Sequence, residues 1–314
     1  MRKSKILVFC RLIISSGLIS YLVFLVDWRK TFLIIKNLDK IYFIIAFLLC
    51  FWGIFFGALR WHLIFKENKI NFSILQAYKG YLSGNFYNIF LPGIIGGDFI
   101  RIGISCFETR CELSIATGVV FLERLLGVIS LFFFLFFSYF FLLKRLSFTL
   151  FFKRILLAIS FLLFIFILLI LIIHFKSIKN SKNKIFCFID RILKAFFSLR
   201  WKVLVFVLAL STLFQGVDIF VSFLLAKAIN INLSLIVFWG VMPLVYFLTI
   251  LPISIGGLGV REGSLAFLLS KFEVPLTEGI TFSFLIYLNK IFVGIVGGLF
   301  EVREYFRRRK NGKT

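Results

Sequence analysis

The chain has 314 residues, of which 61% are hydrophobic and 16% are charged, and its formal net charge is +23. A soluble domain is about half apolar and about a quarter charged, so the composition excludes a soluble globular protein. The basic residues flank apolar runs and form no soluble basic face, which argues against a nucleic-acid partner. The composition therefore predicts an all-α polytopic membrane protein.

Six apolar segments are long enough to cross a bilayer as helices. In chain order they cover about residues 6–26, 41–60, 115–143, 155–174, 203–226 and 277–300. Two further apolar segments, 72–107 and 234–272, contain Pro and paired Gly that interrupt a helix. We predict that each forms a broken re-entrant hairpin, entering and leaving on one side. Residues 1–314 then form a single integral membrane domain, with half A at about 6–143, half B at about 155–300 and a basic cytosolic tail at 301–314.

Lysine and arginine concentrate in the segments that this topology places in the cytosol. The longest of them, residues 175–202, holds eight basic residues and one acidic residue. Because cytosolic loops are enriched in positive charge, we predict cytosolic N- and C-termini in a multi-pass protein of the plasma (inner) membrane. External loop 144–154 opposes this rule, since it has four basic residues and no acidic ones.

One motif that contains a proline and a glycine pair occurs twice. Residues 91–101 read LPGIIGGDFIR and residues 251–261, 160 positions later, read LPISIGGLGVR. The same offset aligns the predicted spans of the two halves, and the topology gives the halves opposite orientations. This pattern predicts an inverted-topology repeat, in which the two broken hairpins approach each other near the membrane midplane and form a transport site.

The residue types at the two breaks suit an anion such as phosphate. Each break supplies a proline, a glycine pair and the start of a new half-helix, whose free amides and positive dipole end attract negative charge. An arginine follows each break by about one turn, and guanidinium groups bind phosphate in a bidentate manner. These candidates are Pro92, Gly96, Gly97, Asp98 and Arg101 at the first break, and Pro252, Gly256, Gly257, Gly259 and Arg261 at the second. The alternative is that both motifs are tight turns that pack the halves together.

Further ionisable and polar side chains fall inside the predicted spans and complete the candidate set. Charges in a bilayer are costly, so they are paired or functional. Glu123, Arg124, Glu262 and Lys290 are assigned to the headgroup cavity together with Asn85. For Glu123, Arg124 and Asp218, purely structural pairing is an equal alternative. Asn85 and Asn88 either donate to a headgroup or satisfy the backbone of the break.

The sequence contains no pattern that indicates catalysis or a bound cofactor. It has no Ser-His-Asp or Cys-His set and no phosphate-binding nucleotide loop. His62 and His174 fall at different span ends, and Cys106 and Cys111 have no further ligands at zinc-site spacing. We therefore predict no catalytic residue, no metal and no cofactor.

The chain resembles the lysylphosphatidylglycerol synthase transmembrane-region family, also called flippase-like. The resemblance rests on Asn85 followed by LPGIIGGDFIR, on ERLLG at 123–127 and on LPISIGGLGVREG at 251–263. It implies a membrane region that moves lipids between leaflets, among them aminoacylated phosphatidylglycerol. Bifunctional members also carry a soluble aminoacyltransferase domain. We expect that domain to be absent here, because the sequence ends at Thr314, shortly after the last span.

Together these observations predict a lipid transporter rather than an enzyme. Its substrate is expected to be an anionic or aminoacylated phospholipid, or a related lipid-linked headgroup, moved by alternating access. Its expected partners are membrane lipids, and a separate lipid-modifying enzyme is a further candidate partner. Two alternatives remain, namely a membrane component of a phosphatidylglycerol-aminoacylating system and a secondary transporter of a small anion.

Overall fold

A computed structural model describes residues 26–90, 96–142, 199–250, 257 and 259–310. All regular secondary structure in these ranges is helical. The helices are α1 (Trp28–Lys36), α2 (Lys40–Glu67), α3 (Ile74–Phe90), α4 (Gly96–Thr109), α5 (Leu113–Leu142), α6 (Trp201–Ala228), α7 (Leu235–Ile250), α8 (Val260–Ser270) and α9 (Leu276–Lys310).

Four of these helices, α2, α5, α6 and α9, are long and apolar enough to cross a membrane. They confirm a polytopic, helical membrane protein and four of the six predicted spans. The predicted spans 6–26 and 155–174 lie outside the described residues, except for Val26. Two predicted ends were wrong. Helix α2 continues past residue 60 to Glu67, and α9 continues past residue 300 to Lys310.

The two predicted hairpin segments each contain two helices, which are α3 with α4 and α7 with α8. Gln76, near the start of α3, donates a hydrogen bond of 3.0 Å to Glu108, near the end of α4. The outer ends of α3 and α4 therefore meet on one side of the molecule. The interruptions fall at the two copies of the motif, of which residues 91–95, 251–256 and 258 lie outside the described part of the chain.

Helices α2 and α6 pack antiparallel along their whole length. At one end, the Asp39 amide donates to the Ala228 carbonyl at 2.9 Å, and at the other Arg200 pairs with Glu67 at 2.6 Å. Helix α3 follows α2 by a short loop, and α7 likewise follows α6. The α3–α4 pair therefore begins at the Glu67–Arg200 end, whereas the α7–α8 pair begins at the opposite end, beside Asp39 and Ala228.

Two further helix pairs pack across the molecule. Helix α3 packs on α9, and α7 packs on α5. The α3–α9 contact depends on small residues, since a Cβ at Gly297 would overlap the Leu82 carbonyl and one at Gly298 would lie 2.5 Å from the Phe86 ring. Close backbone approach through small residues is how membrane helices gain packing energy without a hydrophobic driving force.

Candidate functional site

A group of charged side chains lies buried between α2, α3, α4, α5 and α6. We call it the Glu123 cluster and define it as Arg60, Tyr81, Asp98, Arg101, Glu123 and Arg124. Its central carboxylate, Glu123, has a 1% exposed side chain. Arg60 Nε donates to Glu123 Oε1 at 3.1 Å, and Arg101 Nη2 donates to Glu123 Oε2. The Tyr81 hydroxyl donates a third hydrogen bond to Oε1, at 2.9 Å.

A second carboxylate, Asp98, extends the cluster toward the surface. Its Oδ1 lies 3.4 Å from Arg101 Nη1, and its Oδ2 accepts from Arg124 Nε at 2.8 Å. The Arg124 side chain is 48% exposed, whereas those of Asp98 and Arg101 are 10% and 9% exposed. Arg124 therefore lies where the cluster reaches the outside of the helix bundle.

Arg101 is held by aromatic rings as well as by carboxylates. Its guanidinium carbon lies 3.8 Å from the centroid of the Tyr81 ring and 4.5 Å from that of Trp61. Two buried donors at this contact, Arg101 Nε and Trp61 Nε1, have no hydrogen-bond partner among the described residues. A buried N–H without an acceptor is costly, so this contact favours an additional oxygen atom or anion.

Three guanidinium groups and two carboxylates meet in the cluster. Removing charges from water is expensive, and the pairs recover that cost only through close, well-oriented hydrogen bonds. The pairing of Arg101 with Glu123, and of Arg101 and Arg124 with Asp98, agrees with the structural alternative.

The first break is stabilised by a side chain of α3. The amide of Gly97, in the first turn of α4, donates to Asn88 Oδ1 at 2.6 Å. A Cβ at Gly97 would lie 2.5 Å from the Gly84 carbonyl oxygen, so glycine is needed for this approach. Gly96 and Asp98 are also buried here. An anion would reach the Gly97 amide only by displacing Asn88.

The second break has an equivalent internal cap. Gly259 has φ 81° and its amide donates to Glu262 Oε2 at 2.6 Å, while Gly257 has φ 76°. Arg261 donates from Nη2 to Glu262 Oε1 at 2.5 Å and stacks 5.1 Å from the centroid of the Tyr287 ring. Positive φ angles favour glycine at both positions. Pro92, Pro252 and Gly256 lie outside the described residues.

A second polar group lies between α2, α6, α7 and α9. We call it the Asp218 cluster and define it as Cys50, Asp218, Tyr246, Asn289 and Lys290. The Tyr246 hydroxyl donates to Asp218 Oδ2 at 2.5 Å, and Lys290 Nζ lies 5.8 Å from the centroid of the Tyr246 ring. Asn289 Nδ2 contacts Cys50 Sγ at 3.2 Å.

The structure brings the predicted residues into separate groups. Asp98, Arg101, Glu123 and Arg124 meet in the Glu123 cluster, Arg261 pairs with Glu262, and Lys290 joins the Asp218 cluster. Asn85 donates to the Tyr81 carbonyl of its own helix at 3.1 Å and contributes no side-chain contact to the Glu123 cluster. Of the two asparagines, Asn88 is the one that satisfies the backbone at the break.

Sequence reasoning missed Arg60, Trp61 and Tyr81. The predicted span ended at residue 60, which made Arg60 look like a flanking charge at the membrane surface. In the structure Arg60 is 4% exposed and also donates to Ser211 at 2.9 Å. The available signal was the apolar stretch that follows it, WHLIF at 61–65, which continues the same helix.

The described residues contain no group of three or more His, Cys, Asp or Glu side chains that could hold a metal ion.

One known protein family matches most of the chain. The profile described as the lysylphosphatidylglycerol synthase TM region matches residues 8–298. The chain belongs to this family. Residues 1–7 and 299–314 lie outside the matched region. No curated protein and no solved structure shows significant similarity to the chain.

Proposed function

We propose that this protein moves the headgroup of an anionic or aminoacylated phospholipid, or of a related lipid-linked molecule, across the plasma (inner) membrane by alternating access. The observation that carries the proposal is the meeting of three arginines in the Glu123 cluster, where the buried Nε of Arg101 has no acceptor among the described residues. A phosphate group offers the oxygen atoms that guanidinium groups bind in a bidentate manner.

The antiparallel arrangement of the halves supports an alternating mechanism. Helices α2 and α6 occupy equivalent places in the two halves, yet they run in opposite directions, and the α3–α4 and α7–α8 pairs begin at opposite ends. We infer an inverted-topology repeat in which these pairs are re-entrant hairpins. In this fold class, access alternates as one repeat moves against the other around a central site.

The guanidinium groups are the main headgroup ligands in this proposal. The amides of Gly97 and Gly259 already donate to Asn88 and Glu262, so they contribute only after a rearrangement. Arg124, at the outer edge of the cluster, meets the phosphate first and Arg101 then exchanges a carboxylate contact for it. Arg261 and Lys290 receive the headgroup in the second half, while the acyl chains stay in lipid.

The test is translocation of fluorescent phosphatidylglycerol and of its lysyl derivative in proteoliposomes. The variants are Arg101→Ala, Arg101→Lys and the double variant Arg101→Ala/Arg261→Ala, with Arg29→Ala on the exposed face of α1 as a matched control. We expect the alanine variants to lose at least tenfold in rate, while Arg29→Ala keeps the wild-type rate. The translocation rate of Arg101→Lys should lie between those of the alanine variants and the wild type, because lysine keeps the charge but not the bidentate geometry.

Three results contradict the proposal. If wild type moves neither lipid, an unassisted lipid transporter is excluded. The alternative of a membrane component of a phosphatidylglycerol-aminoacylating system is then favoured. If wild type transports inorganic phosphate but neither lipid, it is a transporter of a small anion. If the double variant transports both lipids normally at equal folded yield, the two arginines are structural.

A further inference from the structure

One carboxylate within a candidate span forms no ion pair with an arginine among the described residues. Asp218 lies near the middle of α6, inside the span Trp201–Ala228. Among the described interior carboxylates, Asp98, Glu123 and Glu262 each pair with at least one guanidinium group. Asp218 instead accepts a hydrogen bond from a neutral phenol, Tyr246, at 2.5 Å.

The groups that face Asp218 come from several helices, and none of those described forms an ion pair with it. Helix α7 contributes Tyr246, α2 contributes Cys50, and α9 contributes Lys290, which lies beyond the Tyr246 ring. Arg261 of α8 acts on Tyr246 from further away and is bound to Glu262. Among the described residues, no salt bridge therefore depends on the charge of Asp218.

One polar atom of the cluster lacks a hydrogen-bond partner. Asn289 is 1% exposed and its Oδ1 atom has no hydrogen-bond partner among the described residues, while its amide nitrogen contacts Cys50. A buried amide oxygen with a free acceptor site is the kind of group that binds an ordered water molecule. Asp218 itself is half-buried, and Lys290 is exposed on the outer face of the described helices.

We propose that Asp218 is a proton-binding site that couples proton movement to headgroup movement in the same direction. This inference rests on the proposed function and adds the energy source. A proton taken from water on one side forms an O–H bond with the Asp218 carboxylate, and the same proton returns to water on the other side. No electron transfer or further reactant is required.

Electrostatics sets the direction of coupling. A phosphate that enters near Arg261 and Lys290 repels an ionised Asp218, and it does not repel a protonated one. The anion and the proton therefore favour each other's binding, and this linkage is reciprocal. The carboxylates of the Glu123 cluster are less suited to this role, because protonating Glu123 removes the charge that pairs with Arg60 and leaves Arg101 with Asp98 alone.

The experiment uses the full chain in proteoliposomes with fluorescent phosphatidylglycerol as the probe. Lipid movement is followed with and without an imposed pH gradient, and an entrapped pH dye reports proton flux. The variants are Asp218→Asn, which keeps the shape and a hydrogen-bond acceptor, and Asp218→Glu, which keeps the ionisable group. Glu273→Gln, at an exposed residue before α9, is the matched control.

We expect wild type, Asp218→Glu and Glu273→Gln to accumulate lipid in the leaflet that faces the alkaline side, with accompanying proton flux. Asp218→Asn should retain gradient-free lipid exchange within about twofold and lose both gradient-driven accumulation and proton flux. Retained exchange also shows that the variant is folded.

Two outcomes overturn the coupling alone, namely wild-type exchange that ignores the gradient and an Asp218→Asn variant that accumulates lipid as wild type does. If wild type moves no lipid with or without a gradient, the proposed function fails and the coupling fails with it.

Discussion

Arg60 and Glu123, on α2 and α5, form an ion pair whose side chains are only 5% and 1% exposed. The same carboxylate also accepts from Arg101 and Tyr81, so a single side chain of α5 connects α2, α3 and α4. A carboxylate shared by two arginines in this setting determines how the helices around the first break are arranged.

Replacing Glu123 by glutamine should destabilise the protein by about 3–5 kcal/mol, because the buried Arg60 loses its paired carboxylate and Arg101 keeps only Asp98. Thermal unfolding in detergent, followed by the fluorescence of buried tryptophans, measures this change. The loss should be smaller than additive when Glu123→Gln is combined with Arg60→Met, since the second change removes one of the unpaired charges.

The control for this measurement is Glu67→Gln, which breaks the ion pair with the 80% exposed Arg200. Exposed pairs contribute about 0–1 kcal/mol, so little change is expected. Equal losses of stability in Glu123→Gln and Glu67→Gln would show that the buried ion pair contributes no more to stability than the pair with Arg200.

Gly297→Ala should destabilise the contact between α3 and α9 by about 1–3 kcal/mol, because the added methyl overlaps the Leu82 carbonyl and forces the backbones apart. Gly103→Ala is the matched control, since a Cβ there meets no atom within 4 Å. It should stabilise the helix by up to about 1 kcal/mol. Unfolding midpoints of both variants in one detergent measure the difference, and a harmless Gly297→Ala would contradict the close packing.

Asn88→Ala should loosen the start of α4, since the Gly97 amide loses its acceptor at 2.6 Å. Loss of such a cap costs about 0.5–2 kcal/mol. Hydrogen–deuterium exchange should become faster at residues 96–98 in Asn88→Ala and stay slow in Asn88→Asp. Asn85→Ala, which removes a bond to the Tyr81 carbonyl, should not change exchange at these residues. Equal exchange in Asn85→Ala and Asn88→Ala would show that Asn88 is no cap.

The loops at the two ends of the α2–α6 pair should face opposite sides of the membrane. Asn71 follows α2, and Asn232 follows α6, and both are exposed. In a background without the five native cysteines, Asn232→Cys should react with an impermeant maleimide in intact cells. Asn71→Cys should react only after the cells are permeabilised. Labelling of both from one side would exclude the inverted arrangement, and the reversed pattern would place the termini outside.

Apolar length and helix-breaking residues were sufficient to predict much of the fold. The motif pair located the breaks between α3 and α4 and between α7 and α8, because Pro and paired Gly interrupt any helix. Helix ends were harder to predict. Arg60 was placed at the end of a span and residues 301–314 in a basic cytosolic tail, yet the helices continue to Glu67 and Lys310. Charged residues do not end a helix when tertiary contacts or water accept them.

The sequence predicted most residues of the candidate site, but it predicted their spatial arrangement only in part. Asp98 and Arg101 were recognised from the repeated break motif, and Glu123 and Arg124 because charges inside spans are rare. That Glu123 also contacts Arg60 and Tyr81 depends on how α2, α3 and α5 pack, and spacing along the chain carries no information on that. The role of Asn88 likewise follows from the approach of Gly97 to Gly84, which is a contact between two helices.

The two polar clusters differ in composition. Three arginines and two acids meet in the Glu123 cluster, whereas the carboxylate of the Asp218 cluster hydrogen-bonds a tyrosine. In the alternating-access cycle proposed above, this difference would make the two end states unequal in free energy even without a ligand. The protein would then rest mostly in one orientation, open to one face of the membrane.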